Sequence, residues 1–255
     1  MTEMIENLPF AEAEGIGARA AIGLICLASD YTIEQEFREV FAHLDPSIAF
    51  YQARVANDPV ITPESLAAMG PRLTETAGRI LPGSDLDVIA YGCTSASTVL
   101  GEDAVARAVQ TAKPGARVTT PITAAFQAFE ALKLHRIAVL TPYRRDVNEV
   151  MLRYLREGGI DVPVFGSFNE EHDRTVSRID GRSLCEAVGR LIRGREVDAV
   201  FVSCTSIRLL DGIDALEAEI GLPVFSSNQV LIWHALRLAS FAEPIAGFGR
   251  LFRQH

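Results

Sequence analysis

An α/β fold of two similar halves, each a parallel sheet with flanking helices and related to the other by pseudo-twofold duplication, is what these 255 residues predict. The first observation is alternation: short β-branched apolar runs are separated by longer stretches of helical periodicity, the pattern of βαβ units. The second is an internal echo, Asp85-Leu-Asp-Val-Ile-Ala-Tyr-Gly-Cys-Thr-Ser95 against Glu196-Val-Asp-Ala-Val-Phe-Val-Ser-Cys-Thr-Ser206. The third lies upstream, where Ala21-Ile-Gly-Leu-Ile25 is matched by Arg136-Ile-Ala-Val-Leu140. Equivalent strand ends of a duplicated unit face each other, and open α/β sheets bind ligands beyond the carboxyl ends of their strands. The active site is therefore expected in the cleft between the halves.

In chain order, strands are expected at Ala21–Leu27, Ala49–Val55, Asp87–Tyr91 and Arg117–Thr119, then at Arg136–Thr141, Val162–Gly166, Ala199–Ser203 and Pro223–Phe225. Helices fill the gaps at Ile33–Phe41, Pro63–Ile80, Ser97–Thr111 and Ala124–Leu132, then at Asp146–Glu157, Arg182–Arg193, Ile207–Ile220 and Gln229–Ser240. Leu184, Val188, Leu191 and Ile192 recur at helical spacing and mark a face packed on a sheet. The first domain is expected over residues 1–120, with 229–255 packing back on it, and the second over 121–228.

Composition bounds the function. Apolar residues make up 48% and charged residues 22%, as in a compact globular chain. The net charge is −9 and no basic run occurs, so neither nucleic acid nor an anionic membrane has an electrostatic footprint here. A small-molecule partner is the default. The segment from Met1 to Glu14 lacks the basic start and apolar stretch of a secretory signal, and no apolar run spans a bilayer, so a cytoplasmic protein is expected. Cys26, Cys93, Cys185 and Cys204 lack the density of a disulfide scaffold and are expected as thiols.

Two of those cysteines carry chemistry. Each Cys-Thr-Ser follows a buried strand and precedes an expected helix, where open backbone N–H groups and the helix dipole favour a thiolate. The same N–H groups, with the hydroxyls of Thr94, Ser95, Thr205 and Ser206, can cradle a substrate carboxylate. Two facing thiols can remove and deliver a proton on opposite faces of one carbon, or one can add to an activated double bond. Packing alone does not explain why the tripeptide recurs while its surroundings differ. It does explain Cys26, within a strand, and Cys185, on a helix face. Two soft ligands without a further Cys or His at ligand spacing make no metal site, and all five histidines read as structural or surface residues. No cofactor is needed.

These residues resemble the Asp/Glu racemase superfamily, in the branch holding maleate cis-trans isomerase, arylmalonate decarboxylase and the racemase-like protein of ectoine utilisation. The matching segments are Ile22-Gly-Leu-Ile25 with Ser29-Asp-Tyr-Thr-Ile-Glu34, Ala90-Tyr-Gly-Cys-Thr-Ser95, Thr120-Pro-Ile122, Leu140-Thr-Pro-Tyr143 with Val147-Asn148, Val202-Ser-Cys-Thr-Ser206 and Ser226-Ser-Asn-Gln229. The resemblance implies two Rossmann-like domains, a site between them, a small carboxylate substrate and a homodimer. It also implies Cys93 and Cys204 as the catalytic pair, Tyr143 as a substrate-orienting hydroxyl, and Asn228 as a support for the second turn.

Departures from the relatives narrow the reaction. Arylmalonate decarboxylases resemble this chain but have glycine at the position of Cys93. Glutamate racemases have histidine where Ser206 stands. Maleate isomerases have asparagine at the position of Asp30, and an ionised aspartate repels a substrate carboxylate and attracts an ammonium. Asp30 also suits a helix cap before Ile33. Glu34 and Glu36 read as a solvated first turn, Arg208 as a surface residue in a first helical turn, and Asn169–Arg178 as an exposed loop with Ser177 and Arg178 able to point inward. The expected activity is racemisation or isomerisation of an amino-acid-like carboxylic acid, with maleate-type cis-trans isomerisation as the alternative.

Overall fold

The structure is a computed structural model that describes residues 2–58 and 60–255. Among the described residues eight strands form at or near the expected apolar runs, the sixth beginning at Phe165 and not at Val162. β1 (Ala20–Leu27), β2 (Ile48–Val55), β3 (Val88–Gly92) and β4 (Arg117–Thr119) make one sheet in the order β2-β1-β3-β4. β5 (Ile137–Thr141), β6 (Phe165–Ser167), β7 (Ala199–Val202) and β8 (Val224–Ser226) make the other, in the order β6-β5-β7-β8. Every pairing is parallel. The two orders are the same once β5 is set on β1, so Cys93 after β3 and Cys204 after β7 occupy equivalent strand ends. β3, β5 and β7 are buried along their whole length, which is why they read as unbroken apolar runs rather than alternating ones.

The repeat has a structural component as well. Asp87 Oδ2 accepts the Ala21 N–H at 2.8 Å, and Asp198 Oδ2 accepts those of His135 and Arg136 at 2.9 and 2.7 Å. Each repeated aspartate thus pins the base of the neighbouring strand.

The helices are α1 (Ile33–Phe41), α2 (Pro63–Ala67), α3 (Leu73–Gly78), α4 (Thr94–Leu100), α5 (Glu102–Ala112), α6 (Pro121–Leu132), α7 (Arg145–Glu157), α8 (Asp173–Val176), α9 (Gly181–Ile192), α10 (Ile213–Ile220), α11 (Ser227–Leu238) and α12 (Gly249–Gln254). Two expected helices are divided. The stretch from Pro63 breaks at Gly70-Pro71 into α2, a 3₁₀ turn and α3, because proline has no N–H to give and its ring opposes the preceding turn. The stretch from Ser97 breaks at Gly101, whose φ of +82° lies in the region open to glycine. The helix expected from Ile207 starts only at Ile213, after a 3₁₀ turn at Leu210–Gly212. Among the described residues no helix is long and apolar enough to cross a membrane.

The two longest buried helices are exchanged between the sheets. α6 follows β4, yet its Phe129 packs edge-on against Phe201 of β7 and Phe225 of β8, with centroids 5.8 and 5.4 Å apart. α11 follows β8, yet it lies on β3 and β4 and against α1, and α6 and α11 also pack on each other. Most of α11 is buried, so it carries apolar residues around its circumference instead of a stripe. α12 lies against α10 and β8.

Candidate active site

Cys93 and Cys204, 3% and 4% exposed, border one small cavity between the halves. Ser95, Tyr143, Thr205 and Ser206 share its wall, and so do Asn57, Asp58, Met69 and Asp173. Its volume is about 20 Å³, room for about one water molecule. Roomier grooves, such as that of about 430 Å³ between β6 and α9, contain neither cysteine.

The two turns are built differently. Cys93 is the N-cap residue of α4, with extended φ and ψ of −151° and 108°. Its carbonyl accepts from the Ser97 N–H at 3.1 Å and the Ser97 hydroxyl at 2.6 Å, while its Sγ lies 3.7 Å from Ser95 Oγ. Cys204 does not start a helix. The expected symmetry of two helix N-termini therefore fails at the second turn, and the cause is Glu36. This carboxylate reaches over from α1 and accepts the Leu209 and Leu210 N–H groups at 2.9 and 3.0 Å and Asn228 Nδ2 at 2.7 Å. Asn228 Nδ2 also donates to the Thr205 carbonyl at 2.8 Å, and Thr32 Oγ1 donates to that of Ser206 at 2.8 Å. The first half thus holds the second half's cysteine turn.

Glu36 is 1% exposed, which corrects its reading as part of a solvated turn. Its spacing from Ile33, Phe37 and Val40 puts all four on the buried face of α1, a signal present in the sequence. Burial pushes its carboxyl up to about 7, against the pull of the three donors. Glu34 is different: it pairs with Arg54 at 2.9 Å, and that bond holds its carboxyl below the usual range.

The thiols are not acidified. Burial pushes Cys93 up to about 12 against the Ala96 N–H and Ser95 hydroxyl, and pushes Cys204 up to about 12 with help from the charge of Asp173. The expectation of stabilised thiolates is overturned, because desolvation outweighs one helix dipole and a few donors. Tyr143 is 2% exposed, lies against both thiols, and is held well above its ordinary value by burial.

Thr94 and Asp30 stand outside the cavity wall. The Thr94 hydroxyl shares a 2.7 Å bond with Ser227 Oγ, which fastens α4 to α11. Asp30 is 2% exposed, and its Oδ1 accepts the Thr32 and Ile33 N–H groups at 2.7 and 2.9 Å, so it caps α1. Its Oδ2 accepts no hydrogen bond. Burial lifts this carboxyl to about 6, although the N–H donors of Ile33 and Thr32 and the nearby Thr205 hydroxyl favour the ionised form.

Asp173 was not legible in the charged stretch read as an exposed loop. It opens the short α8, is 4% exposed, and accepts from Ser206 Oγ at 3.1 Å and from Ser29 Oγ, one hydroxyl from each half. Arg178, by contrast, is exposed, and the Ser177 hydroxyl is turned to the Arg174 carbonyl at 3.1 Å. Arg208 stands outside any helix, exposed and bonded to Asp211 at 2.6 Å. His234 Nδ1 shares a 2.8 Å bond with Thr119 Oγ1 away from the cavity. Among the described residues no group of three or more His, Cys, Asp or Glu converges as metal ligands would.

The chain as a whole is similar to known proteins. A family model described as arylmalonate decarboxylase matches residues 39–252. The maleate isomerase of Nocardia farcinica is 29% identical over 242 residues, covering 91% of this chain and 95% of the relative. The arylmalonate decarboxylase of Bordetella bronchiseptica is 29% identical over 215 residues, covering 83% and 89%. Among solved structures, a cysteine-to-serine mutant of the Nocardia farcinica maleate cis-trans isomerase, with a covalently bound succinylcysteine intermediate, superposes with a TM-score of 0.84. It is 28% identical, and the match covers 92% of this chain and 99% of that one.

Proposed function

Since the chain belongs to the arylmalonate decarboxylase family, we propose that it is a cofactor-independent isomerase or racemase of a small, amino-acid-like carboxylic acid, worked by Cys93 and Cys204. The observation that carries the reading is the placement of these two buried thiols on equivalent strand ends of opposite halves, bordering one cavity. In that arrangement one thiolate takes the α-proton from one face of the substrate carbon, and the opposite thiol supplies a proton to the other face. Burial makes each thiol a weak acid and its thiolate a strong base, closer in strength to the carbon acid it must deprotonate. Ser95, Thr205 and Ser206 then bind the substrate carboxylate, and the Tyr143 hydroxyl orients it.

A second reading is favoured by the succinylcysteine in the superposed Nocardia farcinica enzyme. Here Cys93 adds to a carbon–carbon double bond, the resulting single bond rotates, and elimination releases the other geometric isomer while Cys204 supplies and recovers the proton. Proton NMR in heavy water separates the two. Amino acids that lose the α-proton signal and become racemic support the first reading; conversion of maleate to fumarate, without any amino-acid exchange, supports the second. Binding without either turnover would mark a carboxylate-binding protein and sink both.

A further inference from the structure

We propose that Tyr91 is a positioning residue for the reaction: its phenol, buried behind Cys93, donates a hydrogen bond to that cysteine's sulfur when the sulfur is a thiolate. The inference rests on the reading of Cys93 as a group that works in its ionised form, which proton transfer and addition to a double bond share.

Tyr91 is fully buried in β3 and stands outside the cavity wall. The Cys93 N–H donates to the Tyr91 carbonyl at 3.1 Å, a three-residue turn about Gly92 that keeps the thiol near the ring. The Tyr91 hydroxyl donates to Met69 Sδ at 3.8 Å and lies against the Cys93 thiol. Met69 is itself 1% exposed and lines the cavity together with Cys93.

A buried phenol ordinarily finds an oxygen or nitrogen for its proton, and a thioether is a weak acceptor. Packing does not require the hydroxyl, because Val202, the counterpart of Tyr91 in the repeat, is equally buried and wholly apolar. A hydroxyl hydrogen turns about its C–O bond, so the donor can leave Met69 for Cys93 with no heavy atom moved. A neutral thiol accepts weakly and a thiolate strongly, so this bond strengthens as charge appears on the sulfur. The other groups around Cys93 are already engaged: Asp173 and Asp30 oppose the charge, the Ala96 N–H and Ser95 hydroxyl favour it, and Tyr143 bonds with Cys204. Tyr91 adds a donor from behind, where no substrate reaches. Burial and the neighbouring charge hold its hydroxyl well above the ordinary value, so the phenol keeps its own proton throughout. In proton transfer the hydrogen that Cys93 takes comes from the substrate carbon, whose C–H bond breaks as the S–H bond forms.

The test is alkylation by iodoacetamide at pH 9, stopped at low conversion, with Cys93 and Cys204 quantified by mass spectrometry in the same sample. Alkylation follows the thiolate fraction, and Cys204 corrects for opening of the cavity. In Tyr91→Phe, checked for native circular dichroism, the ratio of Cys93 to Cys204 labelling should fall on the order of tenfold. A 3-fluorotyrosine incorporated at position 91, a stronger donor of nearly the same size, should raise it. Met69→Leu, which removes only the resting partner, should not lower it. Where the native chain turns over maleate or an amino acid, Tyr91→Phe should lower kcat and leave KM unchanged. A ratio that Tyr91→Phe leaves or raises, or that fluorotyrosine leaves or lowers, overturns the proposal, and so does an unchanged kcat. A fall in Met69→Leu as large as that in Tyr91→Phe overturns it too, since repacking of the wall would then be the cause. A fallen ratio in a chain that turns over neither substrate class would sink the catalytic reading and leave the Tyr91 bond in place.

Discussion

Glu36 and Asn228 join the two halves directly behind a cysteine: Glu36 Oε2 accepts from Asn228 Nδ2 at 2.7 Å, and the same amide nitrogen holds the Thr205 carbonyl at 2.8 Å. Glu36→Ala removes the acceptor of three buried donors at once. It should cost about 3 kcal/mol in urea denaturation and lower kcat more than it raises KM, because the Cys204 turn loses its support while the cavity wall stays. Unchanged kcat in a folded variant would show that the turn holds itself.

The same carboxylate sets a pH dependence of stability. Its folded value is raised to about 7 from the ordinary 4.5, so between these limits the folded chain keeps a proton that the unfolded chain has released. Stability from this group is therefore full below the lower limit and declines as pH rises through the upper one, by about 3 kcal/mol in all. Glu36→Gln should flatten the fall of melting temperature between pH 4.5 and 7 relative to the native chain. Parallel curves would place the titration elsewhere.

Thiol reactivity tests the other elevated groups. With Cys93 and Cys204 both up at about 12, iodoacetamide should label neither readily at pH 7.5, and labelling of the unfolded chain should be at least about tenfold faster. A fast-labelling cysteine at neutral pH, located by mass spectrometry at either position, would contradict the balance of burial over donors.

Cys93→Ser and Cys204→Ser should each lower turnover by about a hundredfold or more. Under the two-base scheme a single-cysteine variant still exchanges the α-proton of one enantiomer in heavy water, since the remaining thiolate reaches only one face. Exchange of both enantiomers by one variant would exclude a face-specific pair.

Gly92, just before the first cysteine, is also constrained: an added Cβ would fall well inside contact distance of Ile33 Cδ1. Gly92→Ala should destabilise the chain by about 1–3 kcal/mol in thermal melts, whereas Ser203, its counterpart in the second half, has room to bond Met151 Sδ at 3.3 Å.

The strands were legible because both faces of β3, β5 and β7 are buried and their apolar runs are continuous, and the echo around Cys93 and Cys204 exposed the duplication. What the sequence hid was asymmetry. Nothing near Thr205 announces that Glu36, more than 160 residues upstream, takes the N–H groups that would have begun a helix. Asp173 was hidden for a related reason: charged neighbours from Asn169 to Arg178 suggest solvent, and only the approach of Ser29 from the other half buries it. Local pattern reports the neighbours along the chain, while these two acids are placed by neighbours across it.

The exchange of α6 and α11 bears on synthesis. Strands β3 and β4 are made before residue 120, but α11, which covers them, is Ser227–Leu238, more than 100 residues later. On the ribosome the first sheet must wait, with part of its apolar face open, until almost every residue of its sister has been translated. Docking of that late helix is thus the event that shuts the first half and, through Asn228, sets the Cys204 turn. The nascent chain cannot acquire its complete cysteine site before Ser227–Leu238 has been made.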